Sequence, residues 1–175
     1  GTFFHRPVAG SFPEPSLRTL LLQGGGVYIG GSSNVKFEDC EIYSNSAFAT
    51  GGGVFIYQAT VTFINTQIHD NQATSIPGGQ GGGVYIDGSS TVKFENCGIC
   101  SNSAVDSGGG IYISGGTVTF INTQIHNNDA LGGGGVAIYG GTVTFTKTQI
   151  HNNQADIGGG IYVDDGSVAQ IISSP

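Results

Sequence analysis

The chain has 175 residues, a formal net charge of −7 and only five Lys plus Arg residues. Phosphate binding needs a basic surface, so this balance argues against a nucleic-acid partner. Three cysteines are too few, and odd in number, for a disulfide framework. No apolar run approaches the ~20 residues that span a bilayer, and we expect no transmembrane segment.

Residues 1–23 do not repeat, and they predict an extended N-terminal arm that leads into the rest of the chain. Prolines and phenylalanines are frequent in this arm, and three leucines, Leu20 to Leu22, precede the first repeat. Residues 24–175 form a single repeat domain in this interpretation.

A six-residue signature recurs six times in that domain. Each copy has three glycines, a β-branched residue, a residue that is usually aromatic, and another β-branched residue. The copies begin at Gly24, Gly51, Gly81, Gly108, Gly133 and Gly158. Successive copies are 27, 30, 27, 25 and 25 residues apart. A period in this range is typical of a solenoid, in which each repeat buries its apolar face against its neighbours.

The copy that begins at Gly108 has the clearest internal pattern. Apolar and polar side chains alternate in three short runs, at residues 111–113, 117–120 and 123–126, as expected for half-buried β-strands. Glycine, serine and asparagine between the runs are typical of turns. Three strands in a repeat of this length, without a 3.6-residue period, predict an all-β parallel β-helix of about six coils.

Alternation along each strand also predicts which side chains point into the core. Like residues then stack on like residues in successive coils, about 4.8 Å apart. On the second strand the predicted inward columns are Val35, Val61, Val92, Val118, Val143 and Val168, beside Phe37, Phe63, Phe94, Phe120 and Phe145. On the third strand the inward column is Ile42, Ile68, Ile99, Ile125 and Ile150.

An asparagine follows the third strand in five coils, and an alanine follows each asparagine two residues later. These asparagines are Asn45, Asn71, Asn102, Asn128 and Asn153. Stacked asparagine side chains hydrogen-bond along the axis of a solenoid, and they tolerate turn backbones. We therefore interpret this column as a structural asparagine ladder.

The asparagine, the alanine and the glycines together resemble a known repeat. Each coil reads Ile-X-X-Asn-X-Ala followed by Gly-Gly-Gly-(Val/Ile), as at Ile125, Asn128, Ala130 and Gly133. This pattern resembles the repeats of chlamydial polymorphic outer-membrane proteins and related autotransporter passenger domains, with Ile in place of Phe and Gly in place of Ala. The resemblance covers about residues 24–170. It implies a right-handed parallel β-helix, an extracellular, cell-surface or lumenal location, an adhesive or scaffolding role, and no catalytic residues.

Two groups of polar residues are candidates for chemistry. His69, His126 and His151 fall in one outward column, but a metal site needs three or four convergent ligands. Charged residues concentrate around Lys36 and Lys93, in coils that are not adjacent. We interpret both groups as solvated surfaces. The sequence therefore predicts no catalytic residues, no metal and no cofactor.

Two outward arrays are candidate interaction surfaces. An aromatic stripe on the first strand, interrupted at Ala137, contains Tyr28, Phe55, Tyr85, Tyr112 and Tyr162. An exposed stripe of this kind suits a protein or glycan partner. Two threonine columns on the second strand contain Thr60, Thr91, Thr117 and Thr142, beside Thr62, Thr119 and Thr144. These columns resemble the flat faces of ice-binding β-solenoids, although Lys36 and Lys93 interrupt them.

Taken together, these features favour a non-enzymatic structural or adhesive scaffold. It would bind, or form part of, a larger assembly through its faces or uncapped ends, with a protein partner, a glycan or a second copy placed end to end. One alternative is a carbohydrate-binding or polysaccharide-modifying β-helix protein, with its site near Lys93 and Glu95. The second alternative is an ice-binding protein that uses the threonine columns.

Overall fold

The computed structural model describes residues 23–172, so the predicted arm lies outside the described residues except for Gln23. Twenty β-strands wind around one axis, and strands of successive coils pair in parallel. The fold is a parallel β-helix of six coils, as predicted. Residues 23–172 include no helix with the length and hydropathy of a membrane span.

Three long sheets run along the axis. The first contains β1 (Val27–Gly30), β5 (Val54–Tyr57), β9 (Val84–Asp87), β13 (Ile111–Ile113), β16 (Val136–Ile138) and β19 (Ile161–Val163). The second contains β2 (Asn34–Glu38), β6 (Thr60–Ile64), β10 (Thr91–Glu95), β14 (Thr117–Ile121), β17 (Thr142–Thr146) and β20 (Val168–Ile172). The third contains β3 (Glu41–Tyr43), β7 (Gln67–His69), β11 (Gly98–Cys100), β15 (Gln124–His126) and β18 (Gln149–His151).

A fourth, narrow sheet adds to the three strands per coil that the sequence predicts. Its members are the two-residue strands β4 (Ser46–Ala47), β8 (Gln72–Ala73) and β12 (Ser103–Ala104). They contain the alanines that follow the asparagine ladder. Two residues are too few to show an alternating pattern, so the sequence gives no signal for this sheet.

The core consists of stacked identical side chains, because the strands pair without a shift in register. Phe63, Phe94 and Phe120 are partners on adjacent strands and are fully buried. Their ring centroids lie 4.8 and 4.9 Å apart, and the rings are nearly parallel. Each coil therefore covers the apolar side chains of the next coil, and the core continues along the axis.

The sixth coil departs from the predicted columns by one residue. Val143 pairs with Ala169 rather than with Val168, and Phe145 pairs with Ile171. The cause is the turn at residues 164–167, which is one residue longer than the Ser-Gly-Gly turn at residues 114–116. Val168 consequently points outward, in register with Thr142.

The glycine triplets have two separate structural roles. The first glycine of the fourth triplet, Gly108, has a φ of +69°, in the region that glycine adopts most readily. Gly110, the third glycine, lies where two successive coils approach one another closely. An ideal Cβ placed there would lie 2.5 Å from the carbonyl oxygen of Gly135 in the next coil, so the close approach of the two backbones excludes a side chain.

A second polar ladder lies at the corner after the second sheet. Asn65 Nδ2 donates to Asp39 Oδ1 over 3.0 Å, Asn96 donates to Asn65 over 3.3 Å, and Asn122 donates to Asn96 over 2.9 Å. All four residues have a positive φ. Asn and Asp tolerate this conformation better than other side chains, which explains their recurrence at this corner.

Candidate functional site

The predicted asparagine ladder is a continuous chain of hydrogen bonds inside the solenoid. The Nδ2 of Asn102 donates to Asn128 Oδ1 over 3.0 Å and to the carbonyl oxygen of Ile68 over 2.9 Å. Its Oδ1 accepts from the backbone and side-chain nitrogens of Asn71, both over 3.0 Å. Because every polar group of this buried amide is paired, the ladder fixes the coils to one another and is not a ligand site.

The aromatic side chains of the first sheet form an unbroken column. Tyr28, Phe55, Tyr85 and Tyr112 stack with successive centroids 5.1 Å apart. The predicted interruption at Ala137 is filled by Tyr139, whose ring lies 5.1 Å from that of Tyr112 and 5.3 Å from that of Tyr162. The alternation of side chains along β16 does not predict that Tyr139 fills this place, because Tyr139 lies just after the end of the strand.

This column differs from the exposed stripe expected from the sequence. Phe55 and Tyr112 are only 4% and 7% exposed, whereas Tyr28 is 42% exposed. Burial, and then the neighbouring Tyr85, raise the pKa of the Tyr112 phenol. Each ring inside the column is covered on both faces by its neighbours.

The threonine columns of the second sheet are in register and lie on its outer face. Thr117 pairs with Thr91 and Thr142, and Thr119 pairs with Thr144. The first column is exposed, and the second is half-buried. Lys93 interrupts the second column between Thr62 and Thr119.

The charged residues of coils one and three do not form a shared cluster. Lys36 Nζ lies 2.7 Å from Glu38 Oε2, and Lys93 Nζ lies 2.7 Å from Glu95 Oε2. Both pairs are formed within one strand and are substantially exposed to solvent. The uncharged strand β6 lies between them. Each pair is therefore neutralised locally, and neither pair faces a second carboxylate across a cleft.

The histidines lie in the outward column of the third sheet, with Cys100 between His69 and His126. His69 Nδ1 lies 2.6 Å from Asp70 Oδ2. The rings of His126 and His151 stack with centroids 5.0 Å apart. Among residues 23–172, no three His, Cys, Asp or Glu side chains converge in a way that could hold a metal ion.

The stacked histidines give the fold a dependence on pH. Burial and the neighbouring His151 lower the pKa of His126 from an unfolded value near 6.5. Below that pH the unfolded chain takes up more protons than the folded chain, so stability falls as pH decreases from about 6.5 towards the folded pKa. We expect the melting temperature of His126→Gln to fall less between pH 7 and pH 5 than that of the parent protein. An equal fall in both proteins would contradict this assignment.

A polar depression of about 290 Å³ lies on the third sheet where Gly98 replaces the glutamine of neighbouring coils. Gln67, Gln124 and His126 line it, and Cys97 lies at its base. Burial raises the pKa of the Cys97 thiol. The thiolate is the nucleophilic form of cysteine, so this site lacks an activated nucleophile.

One further surface, formed by the turns before the glycine triplets, was not predicted from the sequence. The turns that follow the ladder alanines and lead into the glycine triplets carry exposed apolar side chains: Phe48, Ile76, Leu131 and Ile157. A groove of about 370 Å³ lies beside two of these turns. The turns differ in length, so the apolar residues do not align in the sequence. Their signal is an apolar residue one to three positions after the ladder alanine.

Comparisons with known proteins agree with this architecture. A family model described as a right handed beta helix region matches residues 18–174. The matched range includes every described coil. Neither a curated protein nor a solved structure shows a match to the chain.

Proposed function

The chain belongs to the right-handed β-helix family, and from this fold we propose that it is a non-enzymatic structural module of a larger assembly. It would act as a short, rigid rod that holds partners on its faces or at its ends. The resemblance to polymorphic outer-membrane proteins and autotransporter passenger domains leads us to propose an adhesive or scaffolding role at a surface outside the cytoplasm.

The observation that carries this proposal is the continuity of the stacked columns. Like side chains stack on like side chains through the phenylalanine core, the aromatic column and the asparagine ladder. Inter-coil hydrogen bonds run along the whole described axis. Such a network resists local deformation, because each coil is held on both sides. A rod with fixed, evenly spaced side chains is suited to presenting surfaces to other molecules.

The shape of the described coils also favours this role over catalysis. Active sites usually lie in concave regions that exclude water and bring titratable groups together. Within residues 23–172 the turns are short, the depressions described above are open to solvent, and the lysines of the second sheet are paired with glutamates on their own strands. We therefore propose that the chain has no enzymatic activity, including on polysaccharides.

Native mass measurement of the protein isolated from its source, with negative-stain microscopy of the same sample, tests the assembly role. We expect a stable complex with a defined mass, or filaments with a repeat related to the length of the rod. A six-coil rod is on the order of 29 Å long at the usual strand spacing. A monodisperse monomer at high concentration in source material would overturn the proposal.

The threonine columns support a second candidate function, ice binding. Thr117, Thr119, Thr142 and Thr144 form a regular two-by-two array on a flat sheet, with spacings of about 6.7 by 4.8 Å. If this face binds ice, the parent protein will show thermal hysteresis and Thr119→Tyr will abolish it. Gln124→Tyr, on the third sheet, is the matched control and would leave hysteresis unchanged. Absence of hysteresis in the parent protein would reject this function.

A further inference from the structure

The corner between the fourth and first sheets varies more in length than any other turn of the described solenoid. After the ladder alanine, the five turns have three, seven, three, two and two residues before the next glycine triplet. In contrast, the strands of the first and second sheets pair residue for residue between these coils, as β9 does with β13 and β10 with β14. In repeat proteins, turns that vary while the core remains constant often form the binding face.

This corner also exposes large apolar side chains that the core does not use. Phe48 is 58% exposed, Ile76 is 83% exposed, Leu131 is 55% exposed and Ile157 is 63% exposed. Backbone hydrogen bonds connect consecutive turns, and the amide of Ile157 donates to the carbonyl oxygen of Leu131 over 3.2 Å. Leu131 and Ile157 therefore lie on adjacent turns, with Ile157 in register with Gly132, the residue that follows Leu131. A contiguous exposed apolar patch marks an interaction site more often than isolated residues do.

A groove runs along the same corner across coils three to five. Its floor is the alanine column Ala104, Ala130 and Ala155. Ser103, Asp129 and Gln154 line one side, and Val105, Leu131 and Asp156 line the other. Isolated bridges pair Asp129 with Ser103 and with Gln154, so this side is continuous from coil to coil. The side chains of Ala104 and Ala130 are buried, so the backbone of this column forms the floor between the two sides.

The charge of the groove is negative. Asp129 and Asp156 lie on its opposite sides, and Asp106 is adjacent to Val105 in the sequence. The three lysines within residues 23–172 are Lys36, Lys93 and Lys147, and none of them lines the groove. A complementary partner would therefore carry Lys or Arg beside its apolar residues.

The spacing of the coils favours a helix as the bound element. Successive coils contribute one residue to each side of the groove every ~4.8 Å along the axis. An amphipathic α-helix lying parallel to the axis presents an apolar side chain about once per 5.4 Å turn. An extended strand presents one on the same face every ~6.7 Å. The helix therefore keeps its apolar side chains closer to the register of the groove over several coils.

We propose that this groove binds an amphipathic helix of a partner protein. Its apolar stripe would lie on Val105 and Leu131 and reach Ile157 on the adjacent turn, and its flanking Lys or Arg residues would lie beside Asp129 and Asp156. The inference rests on the proposed assembly function and names the surface and the partner class. The helix lies along the solenoid axis, over the alanine floor.

Fluorescence anisotropy with three labelled 18-residue peptides tests the inference. The first contains only Leu and Lys, with Leu at every third and fourth position so that one helical face is apolar. The second keeps the Leu positions and replaces Lys with Glu. The third has the composition of the first, with its leucines distributed around the helix. We expect the first peptide to bind at least ten-fold more tightly than either of the others, and its affinity to fall as salt is raised.

Two double variants and one control connect that binding to the groove. Leu131→Ser with Ile157→Ser removes the two exposed apolar side chains of these adjacent turns, and we expect at least ten-fold weaker binding. Asp129→Asn with Asp156→Asn removes the charges, and we expect weaker binding at low salt together with a smaller salt dependence. Tyr57→Ser with Asp165→Asn changes an exposed apolar and an exposed acidic residue at other corners, and it should bind as the parent protein does. Melting temperatures verify that each variant is folded.

Three results would overturn the groove assignment: no binding of the first peptide, equal binding of the first and third peptides, or equal affinities for the parent protein and both groove variants. The assembly role is tested separately by the native mass of source material. If the native complex forms but the groove variants bind the peptide normally, only the groove inference fails. If the native protein is monomeric and the groove binds the peptide as expected, the assembly proposal fails instead.

Discussion

Gly110→Ala is expected to destabilise the solenoid strongly, because the third glycine of this triplet lies directly against the backbone of the next coil. The new Cβ would lie 2.5 Å from Gly135 O and 3.1 Å from Asn128 Cγ. The backbone cannot move away without lengthening the hydrogen bonds from Val84 N to Gly110 O, at 2.9 Å, and from Gly110 N to Gly134 O, at 3.0 Å. We expect a penalty at or above the ~3 kcal/mol upper end of ordinary overpacking, measured by urea unfolding.

Gly160→Ala is the matched control, because Gly160 has the same place in the sixth coil. Among the described residues its ideal Cβ has one neighbour within 4 Å, Ile150 Cγ2 at 3.5 Å, which is an ordinary contact. We expect a change of less than about 1 kcal/mol, in the range of surface substitutions and small propensity effects. Similar losses in the two variants would show that conformational freedom, rather than the close approach of the coils, explains the glycines.

Asn102→Ala is expected to destabilise the fold by about 3 kcal/mol, with a fall in melting temperature of about 6–12 °C for a chain of this size. The substitution removes Asn102 Oδ1, which accepts from the backbone and side-chain nitrogens of Asn71, and Asn102 Nδ2, which donates to Ile68 O and Asn128 Oδ1. These groups are buried, so water does not replace the lost amide. Each unsatisfied buried group costs on the order of 1–3 kcal/mol.

Asn153→Ala, at the end of the ladder, is the control that separates the effect of burial from the loss of an amide group alone. Asn153 accepts from Asn128 N and Nδ2 and donates to Ile125 O, but it is partly exposed. Water can satisfy the groups that it leaves, so we expect less than half of the loss at Asn102. Equal melting temperatures for the two variants would contradict the interpretation that burial makes the ladder strong.

The sequence was sufficient to predict the coils because their information is local and repeated. The alternation of apolar and polar residues between turns predicts that the side chains of Val118 and Phe120 are buried, and the glycine signature predicts where each coil begins. Val168 was placed wrongly because its preceding turn is one residue longer, and turn length decides the register of the strand that follows. The two-residue strands of the fourth sheet are too short for a periodic pattern.

The surfaces were less predictable than the core, because they depend on side chains from different coils. Alternation places Phe55 and Tyr112 on the outside of a strand, but it does not show that neighbouring rings and turns cover them. Tyr139 fills the space above Ala137 from a position outside the strand. The groove beside Leu131 is formed by turns of unequal length, and only the stacked structure brings those turns into one row.

The orientation of the inter-coil hydrogen bonds has a mechanical consequence. They lie along the solenoid axis, so a force applied along that axis would open one coil at a time from an end, as in a zipper, rather than shearing a whole sheet at once. Each released coil of 25 to 30 residues would lengthen the chain from about 5 Å to on the order of 85–100 Å. Such a rod would yield in steps while its remaining coils stay folded, and it would extend many-fold before the last coil opens.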